Sequence, residues 1–368
     1  MDLTLSEDQR FLRDEARRLL ASRAGSAQVR SVVESGAGID ADLWTLVAGE
    51  LGWCAIGVPA ETGGLGLGLT EQMLLLEAAG ERLAPLPLWS TTCLAAPLLA
   101  GVGSDAARAS LLPRIAAGEF PATLAAGPDL ATGVTARAVP GGYVLDGAVP
   151  RVVDLAPDTL VLVPARLDGH LALFALLPGA GHGIRALSPL DPTRRMGTLA
   201  LDGLLVPTDA RIDAGGIDPL AAEAALAVAL LGLAAEQVGA ARGAMDLTLA
   251  YIGERVQFGR RIASFQAVKH RCAMLEVDYA EARSLLSGAA AAGPAQRLME
   301  ATGARALASD LLMRAAEEAI QLHGGVGFTW EYDPHLYLRR AQASRALLGA
   351  PEAQYARIAA HLLDGVLP

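Results

Sequence analysis

The apolar residues of this chain change period twice. Over residues 6–24, Phe11, Leu12, Ala16, Leu19 and Leu20 recur at helical spacing with Arg and Glu between them, marking one helix face. Ser6 and Gln9 read as a capping box at its start. Further helices are expected from Ala41 to Leu51, from a Thr70 cap to Glu81, and near 90–100 and 104–116, with Pro85 and Pro87 as stops. From Pro121 to about Asp213 this spacing is lost. Prolines and glycines recur every few residues, and Val144–Val149, Thr159–Val163, His170–Ala175 and Leu199–Val206 read as strands, the last as a pair. From Pro219 helical spacing returns in four long segments, cut at Gly253, at Gly293–Pro294 and between Gly324 and Pro334. Pro294 occupies a first-turn position. Helices and strands are thus segregated along the chain, which predicts an α+β organisation. Its expected parts are a helical domain over 1–118, a small antiparallel β barrel or sandwich over 119–215, and a four-helix bundle over 216–368.

Charge and cysteine usage exclude several classes of function. A formal charge of −10 argues against nucleic acid and anionic membrane as partners, although local arginines still suit phosphate. Hydrophobic residues are 52% and charged ones 19%, an apolar excess that points to subunit contacts as well as a core. Cys54, Cys93 and Cys272 lie far apart with no metal-ligand spacing, and read as small buried apolar residues. The N-terminus begins like a capped helix and not like a signal peptide. The longest apolar run, Ala224–Ala235, is too short to span a bilayer. These features predict a soluble cytoplasmic protein without a metal.

Two stretches carry candidate chemistry. Gly253–Gln266 offers a guanidinium at Arg255, an aromatic face at Phe258 and an amide at Gln266. Gln321–Gly327 offers an amide at Gln321 and bare backbone at Gly324 and Gly325, where N–H groups can approach a ligand closely. A guanidinium fork suits phosphate oxygens. Together the two stretches fit a large anionic molecule with an aromatic head, such as a dinucleotide.

The two stretches resemble the acyl-CoA dehydrogenase family, which carries Arg-x-x-Phe-Gly followed by Phe-Gln, then Gln-x-x-Gly-Gly-x-Gly. The resemblance runs over nearly the whole chain and includes Val58–Gly66, Leu112–Glu119 and Tyr143–Gly147. It implies an acyl-CoA dehydrogenase-like fold, a tetramer built on the C-terminal bundles, an acyl-CoA substrate and an electron-transfer flavoprotein-like acceptor. It also implies FAD shared between subunits. The middle domain of one subunit holds the flavin ring, and the bundle of its neighbour holds the adenosine diphosphate end through Arg255, Phe258, Gln266, Gln321, Gly324 and Gly325.

Other positions depart from the family pattern. Where members have Thr-Glu-Pro-x-x-Gly-Ser-Asp against the flavin, this chain has Leu124–Asp129, nearly without hydroxyls. The family's Trp-Ile-Thr triplet becomes Arg151, Val152 and Val153. The catalytic carboxylate, which takes the α proton, falls on Leu348 in one family placement and on Ala229 in the other, and the neighbouring Thr on Ala350. The catalytic residue is therefore unassigned. Glu223, Glu236 and Glu352 lie nearby in sequence and read as structural charges, while His323, inside the Gln-x-x-Gly-Gly motif, reads as a structural histidine with cofactor contact as the alternative. Three readings follow: a subunit that completes a partner's FAD site in a heterotetramer, a homotetrameric dehydrogenase with a relocated base such as Glu236, or a non-catalytic binding protein.

Overall fold

The computed structural model describes residues 3–127, 130–213 and 215–363. Its helices are α1 (Glu7–Arg23), α2 (Ser26–Ser35), α3 (Ala41–Trp44), α4 (Leu69–Glu81), α5 (Ala96–Val102) and α6 (Asp105–Ala116) before the strands. After them come α7 (Pro219–Glu254), α8 (Gln266–Ala291), α9 (Pro294–His323), α10 (Pro334–Arg345) and α11 (Pro351–Leu363). The strands are β1 (Ala122–Leu124), β2 (Thr135–Val139), β3 (Gly142–Val153), β4 (Leu160–Leu167), β5 (His170–Leu176), β6 (Gly183–Ala186) and β7 (Met196–Pro207), followed by the short β8 (Val256–Gln257) and β9 (Arg260–Arg261). The expected order of helices, strands and helices is present.

Local rules account for most helix ends. Ser6 caps α1 in a complete capping box with Gln9. Ser104 caps α6, and Pro294 opens α9 after Gly293. Four expectations need correction, and one helix carried no signal in the sequence. α4 begins at Leu69, so Thr70 lies inside it and is not its cap. The helix expected over Ala41–Leu51 widens into a π-helical stretch, Thr45–Glu50. α2 lacks the long apolar stripe that reveals α1 and escaped notice; it buries only Val29. Leu199–Val206 is part of one continuous strand, β7, not a pair, because Gly203 (φ 62°) absorbs a bulge opposite Asp146. The last helical segment breaks into α10 and α11, because Leu348 and Gly349 turn left-handed and Pro351 starts a new helix.

The sheet is mixed and not purely antiparallel. β4 pairs antiparallel with β5 along one edge. Its other edge is shared: Leu160–Leu162 pair parallel with β1, and Arg166 and Leu167 pair parallel with β2. β2, β3, β7 and β6 then follow as antiparallel neighbours. Leu160–Ala165 are all buried, as a strand with neighbours on both edges requires.

The chain forms two compact units. One comprises Met1–Glu34, Met73–Ala84 and Leu230–Pro368; the other comprises Ser35–Gln72 and Pro85–Ala229. In the second, Leu99, Leu112, Ile115 and Leu162 share a core, and Val161, Val163 and Phe174 belong to a neighbouring one. Cys54 and Cys93 are buried as expected, whereas Cys272 on α8 is half-exposed. α7 corrects the estimate of apolar length. It is 36 residues long and contains an 18-residue window with mean hydropathy 1.7, enough by length and composition to cross a membrane. That window is 83% buried inside the protein, so its apolar surface is used in packing.

In the first unit, α4 and α7 meet backbone to backbone. A Cβ added at Gly80 would lie 2.0 Å from the Glu236 carbonyl oxygen, and one at Gly239 2.0 Å from that of Glu77. One at Gly243 would lie 2.2 Å from the Glu81 oxygen. Gly239→Ala would raise helix propensity by about 1 kcal/mol in free helix. Here the clash should dominate, with a net loss of about 1–3 kcal/mol and a lower Tm in thermal unfolding. An unchanged or higher Tm would contradict this packing.

Candidate functional site

The Gly253–Gln266 stretch leaves α7 as a hairpin. Val256 pairs with Arg261 and Gln257 with Arg260, around a two-residue loop of Phe258 (φ 53°) and Gly259 (φ 75°). Positive φ at both loop positions matches the twist of a tight hairpin. Glycine adopts it freely, but for phenylalanine the left-handed conformation costs roughly 1–2 kcal/mol. Burial does not offset that cost, since Phe258 is 92% exposed. Its ring meets Phe265 edge-on at 6.2 Å, and the Arg260 guanidinium lies 3.9 Å over the Phe265 ring. An exposed aromatic held in strained backbone makes Phe258 a candidate for a binding role.

Arg255 is fixed through its backbone. Its N–H donates to the Tyr251 carbonyl and its own carbonyl accepts from Ile262 N–H, both at 2.9 Å. Its guanidinium is exposed and has no hydrogen bond or ion pair among the described residues. Gln266 and Gln321 are exposed as well. Gly324 ends α9 with φ 64°, and its N–H returns to the carbonyls of Ile320 and Gln321. A Cβ added at Gly324 or Gly325 would meet nothing within 4 Å. Gly327 differs, because a Cβ there would press on the Ile320 oxygen at 2.8 Å.

The helices bring both stretches to one end of the unit. α8 and α9 are antiparallel, tied by Arg271–Glu318 at 2.7 Å and Arg314–Asp278 at 2.9 Å. Continuing that register, Gln266 at the start of α8 lies level with His323 at the end of α9. The Tyr251 ring, one turn before Arg255, stacks on His323 at 4.3 Å. Tyr251 and the His323 stack carried no signal in the sequence beyond the neighbouring glycines. His323 Nδ1 lies 2.7 Å from the Ala319 carbonyl, so it carries the proton and Nε2 is left as a buried acceptor without a partner among the described residues. Burial lowers the His323 pKa, opposed by the bond to Ala319.

The positions matched to the proton-removing carboxylate are apolar and engaged in structure. Leu348 sits at φ 55° in the α10–α11 turn, and its carbonyl accepts from Gln354 Nε2 at 2.7 Å. Ala229 is buried, and its carbonyl accepts from Trp89 Nε1 at 2.9 Å. Glu236, the candidate for a relocated base, is buried against the equally buried Arg340 guanidinium. Glu352 is an exposed partner of Arg345, and Glu223 is also exposed on α7. In the sheet, Arg151 is exposed with φ 57°. Val153 is buried, and its carbonyl accepts the Thr123 hydroxyl at 2.7 Å. Within Leu124–Asp129, Pro128 and Asp129 lie outside the described residues.

Residues 6–119 match the family model described as Acyl-CoA dehydrogenase, N-terminal domain, and residues 220–363 match Acyl-CoA dehydrogenase, C-terminal domain. Acyl-CoA dehydrogenase IpdE2 of Mycobacterium tuberculosis is 35% identical over 357 residues, covering 97% of this chain and 98% of the relative. The chain belongs to the acyl-CoA dehydrogenase family. Members of this family are FAD-dependent oxidoreductases. Among solved structures, a chain of the ChsE4-ChsE5 complex from Mycobacterium tuberculosis superposes with a TM-score of 0.88 at 28% identity, over 99% of both chains. Butyryl-CoA dehydrogenase from Megasphaera elsdenii shares the fold, with a TM-score of 0.88 at 22% identity over 99% of this chain and all of that one.

Acid should loosen this end of the acyl-CoA dehydrogenase chain. Burial lowers the pKa of both His323 and His335, the latter helped by Arg30 and Arg339. The unfolded chain then binds more protons below about pH 6.5, so this part of the stability is complete above that pH and shrinks as pH falls towards the folded pKa values. Glu77 and Glu81, raised by burial, act in the opposite sense. Comparison with His323→Gln isolates the histidine. The Tm drop from pH 7.5 to 5.5 should be smaller in the variant, and an equal drop would assign His323 no part in it.

Proposed function

We propose that this chain supplies the adenosine diphosphate half of an FAD site whose ring half belongs to a different acyl-CoA dehydrogenase subunit. The pair then carries out α,β-dehydrogenation of an acyl-CoA thioester and passes electrons to an electron-transfer flavoprotein-like acceptor. The observation that carries this reading is the outward-facing set at the α7, α8 and α9 ends. Arg255, Phe258, Gln266 and Gln321 are exposed, and Gly324 and Gly325 face open space. A free guanidinium suits a diphosphate, and bare backbone suits close approach of the cofactor.

The residues on the ring side fit the cofactor poorly. Arg151 puts a charge where relatives have an aromatic plane, and Val153 has no hydroxyl. When bound, FAD supplies the hydride acceptor. Removal of the α proton needs a carboxylate, and this chain offers Leu348 and Ala229 at the two positions. Glu236 is held by Arg340, which counts against it as a relocated base. The ChsE4-ChsE5 complex, whose name joins two different chains, supports a paired assembly for this chain as well.

Two measurements test the reading. The isolated chain should show little or no acyl-CoA dehydrogenation, because a general base contributes roughly 10²–10⁴-fold. Ordinary turnover that Glu236→Gln abolishes would favour a homotetramer with its own base. Flavin absorbance of the co-purified complex should then correspond to about two FAD per α2β2 tetramer. Arg255→Ala in this chain should weaken FAD binding ten- to a hundred-fold, from a charge-assisted contact of roughly 1.5–3 kcal/mol. Four tightly held FAD in a tetramer of this chain alone, or flavin content indifferent to Arg255, would overturn the proposal.

A further inference from the structure

Arg305 on α9 is fully buried and has no carboxylate partner among the described residues. Its Nη2 donates to the carbonyls of Ser344 at 2.7 Å, Leu347 at 3.2 Å and Arg345 at 3.5 Å, at the end of α10. The negative end of the α10 dipole accounts for part of its charge. Its Nε and Nη1 have no partner among the described residues. Asp310, the acid on α9 whose charge bears on Arg305, is occupied by Arg345 and the Tyr355 hydroxyl. Burial, followed by the neighbouring Arg345 guanidinium, lowers the Arg305 pKa to about 10.

Three more buried polar atoms have no partner among the described residues, and two of them belong to glutamines that hold the segment Ser344–Leu348. Ser309 Oγ lies one helical turn beyond Arg305 on the same face of α9. Gln237, on α7, donates Nε2 to Ser344 Oγ at 2.8 Å and leaves its Oε1 free. Gln354, on α11, donates Nε2 to the Leu348 carbonyl at 2.7 Å and also leaves its Oε1 free. Neither amide can be flipped to relieve this. The Gln354 partner is a carbonyl, which only accepts. Ser344 already donates its hydroxyl proton to the Ala341 carbonyl, so it must accept from Gln237.

We propose that a small cluster of ordered water occupies the polar space behind the α10–α11 turn, held by Arg305, Ser309, Gln237 and Gln354. The free atoms decide the class of ligand. Arg305 and Ser309 present donors, whereas the two glutamine oxygens present acceptors. An anion would answer the first and be repelled by the second. Water answers both, and a site with several polar partners is the kind that holds it. The guanidinium is thereby solvated inside the protein in place of a carboxylate. The turn that carries Leu348 rests on this cluster from within, which helps a leucine persist at a positive φ.

Ser309→Ala in the full chain separates a wet pocket from a dry one by sign. In a dry pocket the hydroxyl is a buried group with no partner, and removing it stabilises. In a wet pocket the substitution removes a hydrogen bond to water, and the Tm should fall by about 1–3 °C. A crystal structure of the same chain should show solvent density within hydrogen-bond distance of Arg305 Nε or Nη1 and of Gln354 Oε1. An unchanged or raised Tm in Ser309→Ala would overturn the proposal, as would absence of that density. A bromide anomalous peak against Arg305 would overturn it in favour of an anion site.

Discussion

The first unit depends on the contact between α4 and α7, where Gly80, Gly239 and Gly243 leave no room for side chains. Backbones this close carry the neighbouring side chains into the interior. Glu77 on α4 is buried for that reason, and Glu81 largely so. Each needs a cation, and each has one: Arg283 from α8 for Glu77 and Arg17 from α1 for Glu81. On α7, Glu236 meets Arg340 from α10. A buried pair of this kind is costly to break, because removing one partner strands the other charge. The glycines therefore fix more than one helix pair, since the ion pairs around them draw α1, α8 and α10 onto the same two helices.

The residues of the proposed diphosphate site stand out in the sequence because they are written as compact motifs. Arg255, Phe258 and Gln266 share one stretch of sequence, and Gln321, Gly324 and Gly325 another. Their meeting was not legible, since it depends on the α8–α9 register and on the Tyr251–His323 stack, which are tertiary facts. The hairpin was missed because Phe-Gly is not the usual Asn-Gly or Asp-Gly signal, and phenylalanine is a poor choice for positive φ. In the sheet, β1 and β2 are too short to carry a pattern, and their parallel pairing with β4 joins residues distant in sequence. The α10–α11 break was signalled by Gly349 and Pro351, but apolar spacing that continues through Leu347 and Leu348 hid it. The bounds of α7 were legible from Pro219 and Gly253, but its apolar length was not, because Glu236 ends the apolar run although it is paired with Arg340 in the interior.

The regions around Arg255 and Leu348 are treated differently by this sequence. Around Arg255 the polar groups face outward and are free to bind. Around Leu348 the polar groups face inward and bind the chain itself, through Gln354 and Arg305. Both regions keep a residue in left-handed backbone, Phe258 in one and Leu348 in the other. In the first the strain presents a side chain to solvent. In the second it belongs to a turn braced from behind.

The hairpin tip also bears on the fate of a chain without company. Phe258, Phe328 and Trp330 all expose large rings on the unit that carries the proposed diphosphate site. Large apolar rings left exposed are a liability for aggregation. In the shared-site reading, copies made in excess of the other subunit would keep those rings uncovered and be open to capture or degradation. Supply of the other subunit would then set how much of this one persists, and a balanced ratio would follow from turnover without any separate control of synthesis.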